Sequence, residues 1–184
     1  MARTPSNMLP LGTKAPDFSL FDTTSQNTLD LHQLKGLNGT VIMFICNHCP
    51  FVVHVNEELV KLAKDYSGKG IGFVAISSND VVNYPQDGPA LMTQHAKDNA
   101  YPFPYLYDET QEIAKAYDAA CTPDLYLFDE YLNLVYRGQL DDSRPGNGIP
   151  VSGSDMRHAL DCLLEKRTNE QPQKPSIGCN IKWK

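Results

Sequence analysis

The sequence predicts an α/β fold built on parallel strands, and three observations carry that expectation. Two short apolar runs, 41–45 and 71–76, have the length and composition of strands buried on both faces. Between them Val52, Val55, Leu59, Leu62 and Tyr66 recur every three or four residues, the stripe of a core-facing helix. A strand–helix–strand crossover joins parallel neighbours.

The remaining elements follow in chain order. Residues 1–15, interrupted by Pro5 and Pro10, read as an N-terminal extension. Residues 17–21 alternate as a short strand, 29–31 make a second piece, and 31–35 a helical turn ended by Gly36. Pro50 suits a first helical turn, where its missing N–H would be unpaired anyway, and Gly68 and Gly70 end that helix. Residues 79–89 are polar and turn-rich. Helices are expected at 90–99 and 111–118, a short strand at 104–107, and a hairpin from 124–129 and 132–136. A Gly- and Asp-rich loop at 141–153 leads to a last helix at 154–166. The tail, 167–184, is polar but ends with Ile181 and Trp183, apolar weight that favours docking over disorder. The chain reads as one domain, 1–184, with its core at about 10–166.

Lys plus Arg number 16 against 22 Asp plus Glu, a net charge of −6 with no basic stripe. That argues against nucleic acid and anionic membrane partners. No apolar run reaches the length of a membrane span, and the first residues have no apolar signal core, so a cytoplasmic location is expected. The five cysteines cannot all pair within one chain. In a reducing compartment, two close together are catalytic or metal-binding rather than structural.

The two close ones lie in Cys46-Asn47-His48-Cys49-Pro50, between the first buried strand and its helix. Unpaired amides and the positive end of the helix dipole favour a thiolate there, and the thiolate is the reactive form. On this reading Cys46 is the exposed attacker, Cys49, deeper in the helix, resolves the mixed disulfide, and His48 between them stabilises the Cys46 thiolate. A zinc or copper site is the bland alternative, but one CxxC supplies two of about four ligands, with only scattered candidates such as His54 to complete it. Further along, Cys121-Thr122-Pro123 precedes the strand at 124–129. Cys162, among Leu160, Leu163 and Leu164, reads as core.

The order of elements, the CxxC-Pro helix and Thr122-Pro123 resemble the thioredoxin superfamily. The lead Gly12-Thr-Lys-Ala-Pro-Asp-Phe-Ser-Leu20 and the insertion after the second core strand, around 79–101, are similar to its redoxin branch, the alkyl hydroperoxide reductase/thiol-specific antioxidant proteins. Cys-Asn-His-Cys-Pro-Phe and the ending Ser176-Ile-Gly-Cys-Asn-Ile-Lys-Trp-Lys184 resemble a peroxiredoxin-like subgroup. The resemblance implies a thioredoxin-like central mixed sheet flanked by helices. It implies a cis Pro123 against the active pair, and a Thr122 that offers its backbone to substrate. Peroxiredoxins also place a Thr three residues before the peroxide-attacking cysteine and an Arg just before the later strand. Here those positions hold Cys46 and Thr122-Pro123, which leaves Arg137 as the nearest substitute.

The expected function is therefore thiol–disulfide exchange through a Cys46/Cys49 couple, without a cofactor or metal. Its partners are a protein or small-molecule disulfide and a thiol reductant such as a thioredoxin or glutathione system; the resemblance leaves a homodimer open. A thiol-dependent peroxidase and a copper- or zinc-binding module are the alternatives. Cys121, near Pro123, and Cys179, able to fold back as a resolving thiol, are the accessory candidates.

Overall fold

The computed structural model describes residues 3–184. Its centre is the expected crossover. β4 (Gly39–Phe44) runs parallel to β5 (Ile71–Ser77), with Val41 opposite Phe73 and Phe44 opposite Ile76, and α2 (Pro50–Ser67) connects them. Around this pair a seven-stranded sheet forms in the order β3-β2-β6-β5-β4-β8-β9, where β2 is Ser19–Asp22, β3 Thr28–Asp30, β6 Tyr105–Tyr107, β8 Asp124–Asp129 and β9 Leu134–Gly138. β6 pairs parallel with β5; β8 pairs antiparallel with β4, and β2 antiparallel with β6, so the sheet is mixed.

Alternation along β4 divides the core into two layers. Val41, Met43 and Ile45 face α2, α3 (Pro89–Asp98) and α5 (Ser154–Leu164), where Val52, Leu59, Met92 and Leu160 bury their side chains. Ile42 and Phe44 face the other way, toward Leu31 of α1 (Leu31–Leu34), Ala114 of α4 (Glu112–Ala116) and the rings of Tyr117, Tyr126 and Phe128. Each fully buried aliphatic or aromatic side chain contributes about 1.5–3 kcal/mol, so both layers are needed to hold the strands in register. A capping box starts α1: the Gln33 amide donates to Asp30, and the Asp30 amide donates to Gln33 Oε1.

Three features differ from the sequence reading. The first strand runs from Ser19 to Asp22 rather than over 17–21, because its pairing with β3 begins at Ser19 and its pairing with β6 extends to Asp22. The hairpin's second strand begins at Leu134, after a turn in which Leu132 has φ 63°. The tail does more than dock. It forms β10 (Ile177–Asn180), the middle strand of a second sheet between β1 (Thr4–Pro5) and β7 (Cys121–Thr122). No helix is long and apolar enough to cross a membrane, among the described residues.

Candidate functional site

The site forms where β4 and β5 end and the chain turns outward. Residues 45–49 leave β4, and Cys49 becomes the N-cap of α2, with Pro50 at its first position. This shifts the sequence expectation by one turn. Cys49 is not deep in the helix; it sits at its mouth. Cys46 lies three residues before the cap, outside the first turn.

Neither sulfur is open to solvent. Cys46 is 1% exposed and Cys49 0%. Cys46 Sγ lies 3.4 Å from Thr122 Oγ1. Cys49 Sγ lies 3.1 Å from the Thr122 carbonyl oxygen and 2.8 Å from the sulfur of Cys179, 130 residues later. The Thr122-Pro123 peptide bond is cis, as the resemblance implied, and places Thr122 between the two sulfurs of the motif.

These contacts push the two thiols in opposite directions. Cys49 falls from 9.0 to about 5: the Cys46 thiol beside it favours the charged form, burial opposes, and the Cys179 thiol, the Thr122 hydroxyl and the Val52 amide of the first helical turn add support. Cys46 rises well above its ordinary value, because Cys49 beside it favours the neutral form, it is buried, and the Asp87 carboxylate is close. Cys179 is raised to about 12 by burial and by its hydrogen bond to Cys49. The direction of these shifts is the reverse of the sequence expectation, which put the thiolate on Cys46. The helix terminus stabilises charge on Cys49, and Cys46 is the buried thiol beside it.

His48 remains at the site with a partner the sequence did not suggest. Its Nδ1 lies 2.7 Å from Asp87 Oδ2, near enough for an ion pair with a protonated ring though not aligned as a hydrogen bond. Asp87 belongs to a 3-10 turn (Pro85–Asp87) in the insertion. Its fully buried carboxylate accepts from the Asn47 amide at 2.9 Å and from Asn79 Nδ2 at 2.8 Å. Asn47 Nδ2 donates to the Gln86 carbonyl, Tyr105 donates to Asn47 Oδ1, and the ring of His48 stacks on Tyr84. The inserted segment thus clamps the cysteine turn from one side while the tail covers it from the other. Only the polar, turn-rich character of 79–89 signalled a segment of this kind in the sequence. Cys46 Sγ, a His48 ring nitrogen and an Asp87 oxygen lie within 4.8 Å of one another. Sulfur, imidazole and carboxylate make a donor set that zinc or copper accepts.

The accessory candidates separate. Cys179 joins the pair. Cys121 is buried beside it, but its sulfur lies 3.5 Å from the Pro123 carbonyl, and burial with the nearby Asp124 carboxylate raises its pKa, so it is held as a thiol. Arg137 does not take the peroxidase arginine's place. Its Nη1 donates to Gln173 Oε1 at 2.7 Å, and that glutamine also accepts the Arg137 amide. His54 is likewise engaged elsewhere, 2.7 Å from Ser143 Oγ. Cys162 is buried in the core, as expected.

Comparison with known proteins places the fold and the family. The chain is similar to an uncharacterized conserved protein from Geobacillus kaustophilus, with 62% identity, a TM-score of 0.98 and coverage of 100% of this chain and 97% of that one. It is similar to a hypothetical protein from Sinorhizobium meliloti 1021 at 48% identity and a TM-score of 0.96, covering 98% of each. A putative thiol:disulfide interchange protein DsbE from Chlorobium tepidum shares the thioredoxin-like fold at 18% identity and a TM-score of 0.66, covering 85% of this chain and 99% of that one. No curated protein matches the sequence. The Redoxin family model matches residues 10–155, most of the chain and all of the strand–turn–helix that carries the motif. The chain belongs to the Redoxin family.

Proposed function

We propose that this protein is a thiol–disulfide oxidoreductase whose working couple is Cys46/Cys49, with Cys49 as the nucleophile. One observation carries the reading: Cys49 caps the N-terminus of α2, and Thr122 lies against both its sulfur and that of Cys46, an arrangement in which Cys49 is pushed toward the thiolate and Cys46 toward the thiol. A thiolate attacks a disulfide, and a second thiol in contact with it displaces the product and closes the internal disulfide. The substrate's disulfide bond breaks, both its sulfurs leave as thiols, and Cys46 and Cys49 become bonded. An external dithiol or glutathione-type reductant returns the pair to its reduced form.

Other residues have supporting parts. Thr122 lies against both sulfurs: its hydroxyl sits beside Cys46 Sγ, and its carbonyl accepts from the Cys49 thiol, a contact given up when that thiol ionises. Asp87 fixes the Cys46 turn and the ring of His48. The likeness to a protein described as a putative thiol:disulfide interchange protein agrees with this chemistry. The peroxidase reading is weaker, since Cys46 stands where that mechanism uses Thr and Arg137 is bound to Gln173. The reading extends to a cytoplasmic location and a thiol reductant as partner, the setting in which a close cysteine pair is catalytic rather than structural.

Reduction of a small dialkyl disulfide, driven by dithiothreitol, tests the reading. Cys49→Ser is expected to abolish turnover and Cys46→Ser to lower it. Full turnover in Cys49→Ser rejects the mechanism. Metal analysis of the purified protein separates the binding-module alternative: one bound zinc or copper per chain, lost in Cys46→Ser and in Asp87→Asn, would replace the catalytic reading.

A further inference from the structure

Cys49 touches two thiols, and only one of them belongs to the motif. We infer that Cys179 is a third redox thiol: a disulfide formed at Cys46–Cys49 passes to Cys49–Cys179, and the chain's own C-terminal strand acts as an internal substrate. This rests on the thiol–disulfide reading above and names the first disulfide partner of that site.

The geometry of β10 is that of a bound peptide. It pairs antiparallel with the strand next to cis Pro123, with Cys179 opposite Thr122 and Asn180 opposite Cys121. Backbone pairing at a strand edge is a general way to hold an extended chain, with the side chains supplying specificity. Gly178 allows the close approach, since a Cβ there would lie 1.9 Å from the Thr122 carbonyl oxygen. Ser176 Oγ donates to the Pro123 carbonyl at 2.7 Å on one side of the cysteine. On the other, the Lys182 amide donates to Asn79 Oδ1 and the Lys182 carbonyl accepts from the Asp80 amide, both at 2.8 Å. Held at both ends, the strand delivers Cys179 Sγ to 2.8 Å from Cys49 Sγ.

The exchange balances within the protein. The sulfur of Cys179 attacks Cys49 Sγ, the Cys49–Cys179 bond forms, and the Cys46–Cys49 bond breaks. Cys46 leaves with the electron pair and takes up the proton that Cys179 gives up. No oxidant beyond the disulfide that first oxidised Cys46/Cys49 is consumed. The product fastens β10 covalently over Thr122, where the reduced chain holds it by hydrogen bonds alone.

Peptide mapping tests this on the full chain. Reduced protein is treated with oxidised glutathione, free thiols are blocked with N-ethylmaleimide, and the monomer fraction is digested for mass spectrometry. The expected result is a Cys49–Cys179 linked peptide in the wild type, retained in Cys46→Ser and replaced by Cys46–Cys49 alone in Cys179→Ala. The inference is overturned, and the function above left standing, if the wild type contains Cys46–Cys49 while its Cys179 is fully alkylated. Absence of any disulfide at Cys49 overturns both. The wild-type map decides the matter even where a variant does not fold.

Discussion

Cys49 and Cys162 are the same residue in the same protein, both buried, both on helices that pack on one face of the sheet. They differ in which end of the helix holds them. Cys49 caps the N-terminus of α2, at the positive end of its dipole, with Cys179 Sγ 2.8 Å from its own sulfur, and its pKa falls to about 5. Cys162 lies in the last turn of α5, the negative end of a helix dipole; burial raises its pKa, and its one side-chain contact is His158 Nε2 at 3.4 Å. The Cys162 region also borders a cavity of about 600 Å³, far more room than the sulfur cluster offers. Space is therefore a poor guide to chemistry here. The close approach of Cys49 to Thr122 and Cys179 marks the reactive region, whereas Cys162 is the one cysteine lining the open cleft.

The contrast breaks most readily at the helix cap. A thiolate absorbs in the far ultraviolet, so a pH titration of the reduced protein is expected to show one transition near pH 5, absent in Cys49→Ser and unchanged in Cys162→Ala. A transition only above pH 8 would place Cys49 with Cys162 as an ordinary thiol.

The same shift predicts a pH-dependent stability. An acid whose folded pKa is depressed binds fewer protons folded than unfolded between the two values, so stability rises with pH across that interval. For Cys49 the interval runs from about 5 to 9.0. Its stabilisation is full above the upper value and lost as pH falls through the lower one. Asp124 acts oppositely: burial raises it from 3.8 to about 7, so its contribution falls as pH rises between those values. Comparing denaturant unfolding of the wild type with Cys49→Ser removes the Asp124 effect, which both share. The difference is expected to grow from pH 5 to pH 9; a flat difference contradicts the depressed thiol.

Smaller effects sharpen the comparison. Asp87→Ala leaves the buried donors of Asn47 and Asn79 without an acceptor and is expected to cost about 1–3 kcal/mol in thermal or denaturant unfolding. Asp87→Asn, which keeps the shape and removes the charge, should lower the Cys46 pKa relative to the wild type, since the carboxylate is among the groups raising it. Cys162→Ala is expected to cost about 1 kcal/mol in unfolding with turnover unchanged. Loss of turnover there would give the cleft a role in the chemistry.

Particular residues show how far local patterns reach. The stripe from Val52 to Tyr66 and the runs at 41–45 and 71–76 were legible because each element carries its own period. Cys46 and Cys49 were legible because spacing and a following Pro50 coincide at a predicted helix start. Asp87 was not. It is an ordinary acid in a turn, and nothing local says that its carboxylate reaches Asn47, 40 residues away. The helix start at Pro50 was legible, but not that Cys49, its N-cap, rather than Cys46, is the sulfur facing the dipole.

The sequence by itself determined the crossover and the presence of two cysteines at its turn, because hydrophobic period, strand length and capping chemistry act over a few neighbouring residues. Only the tertiary structure decided which cysteine holds the negative charge, and that a thiol from the last strand meets it. Those outcomes depend on hydrogen-bond donors and a sulfur brought together by sheet pairing across 130 residues, a distance over which no local pattern carries information.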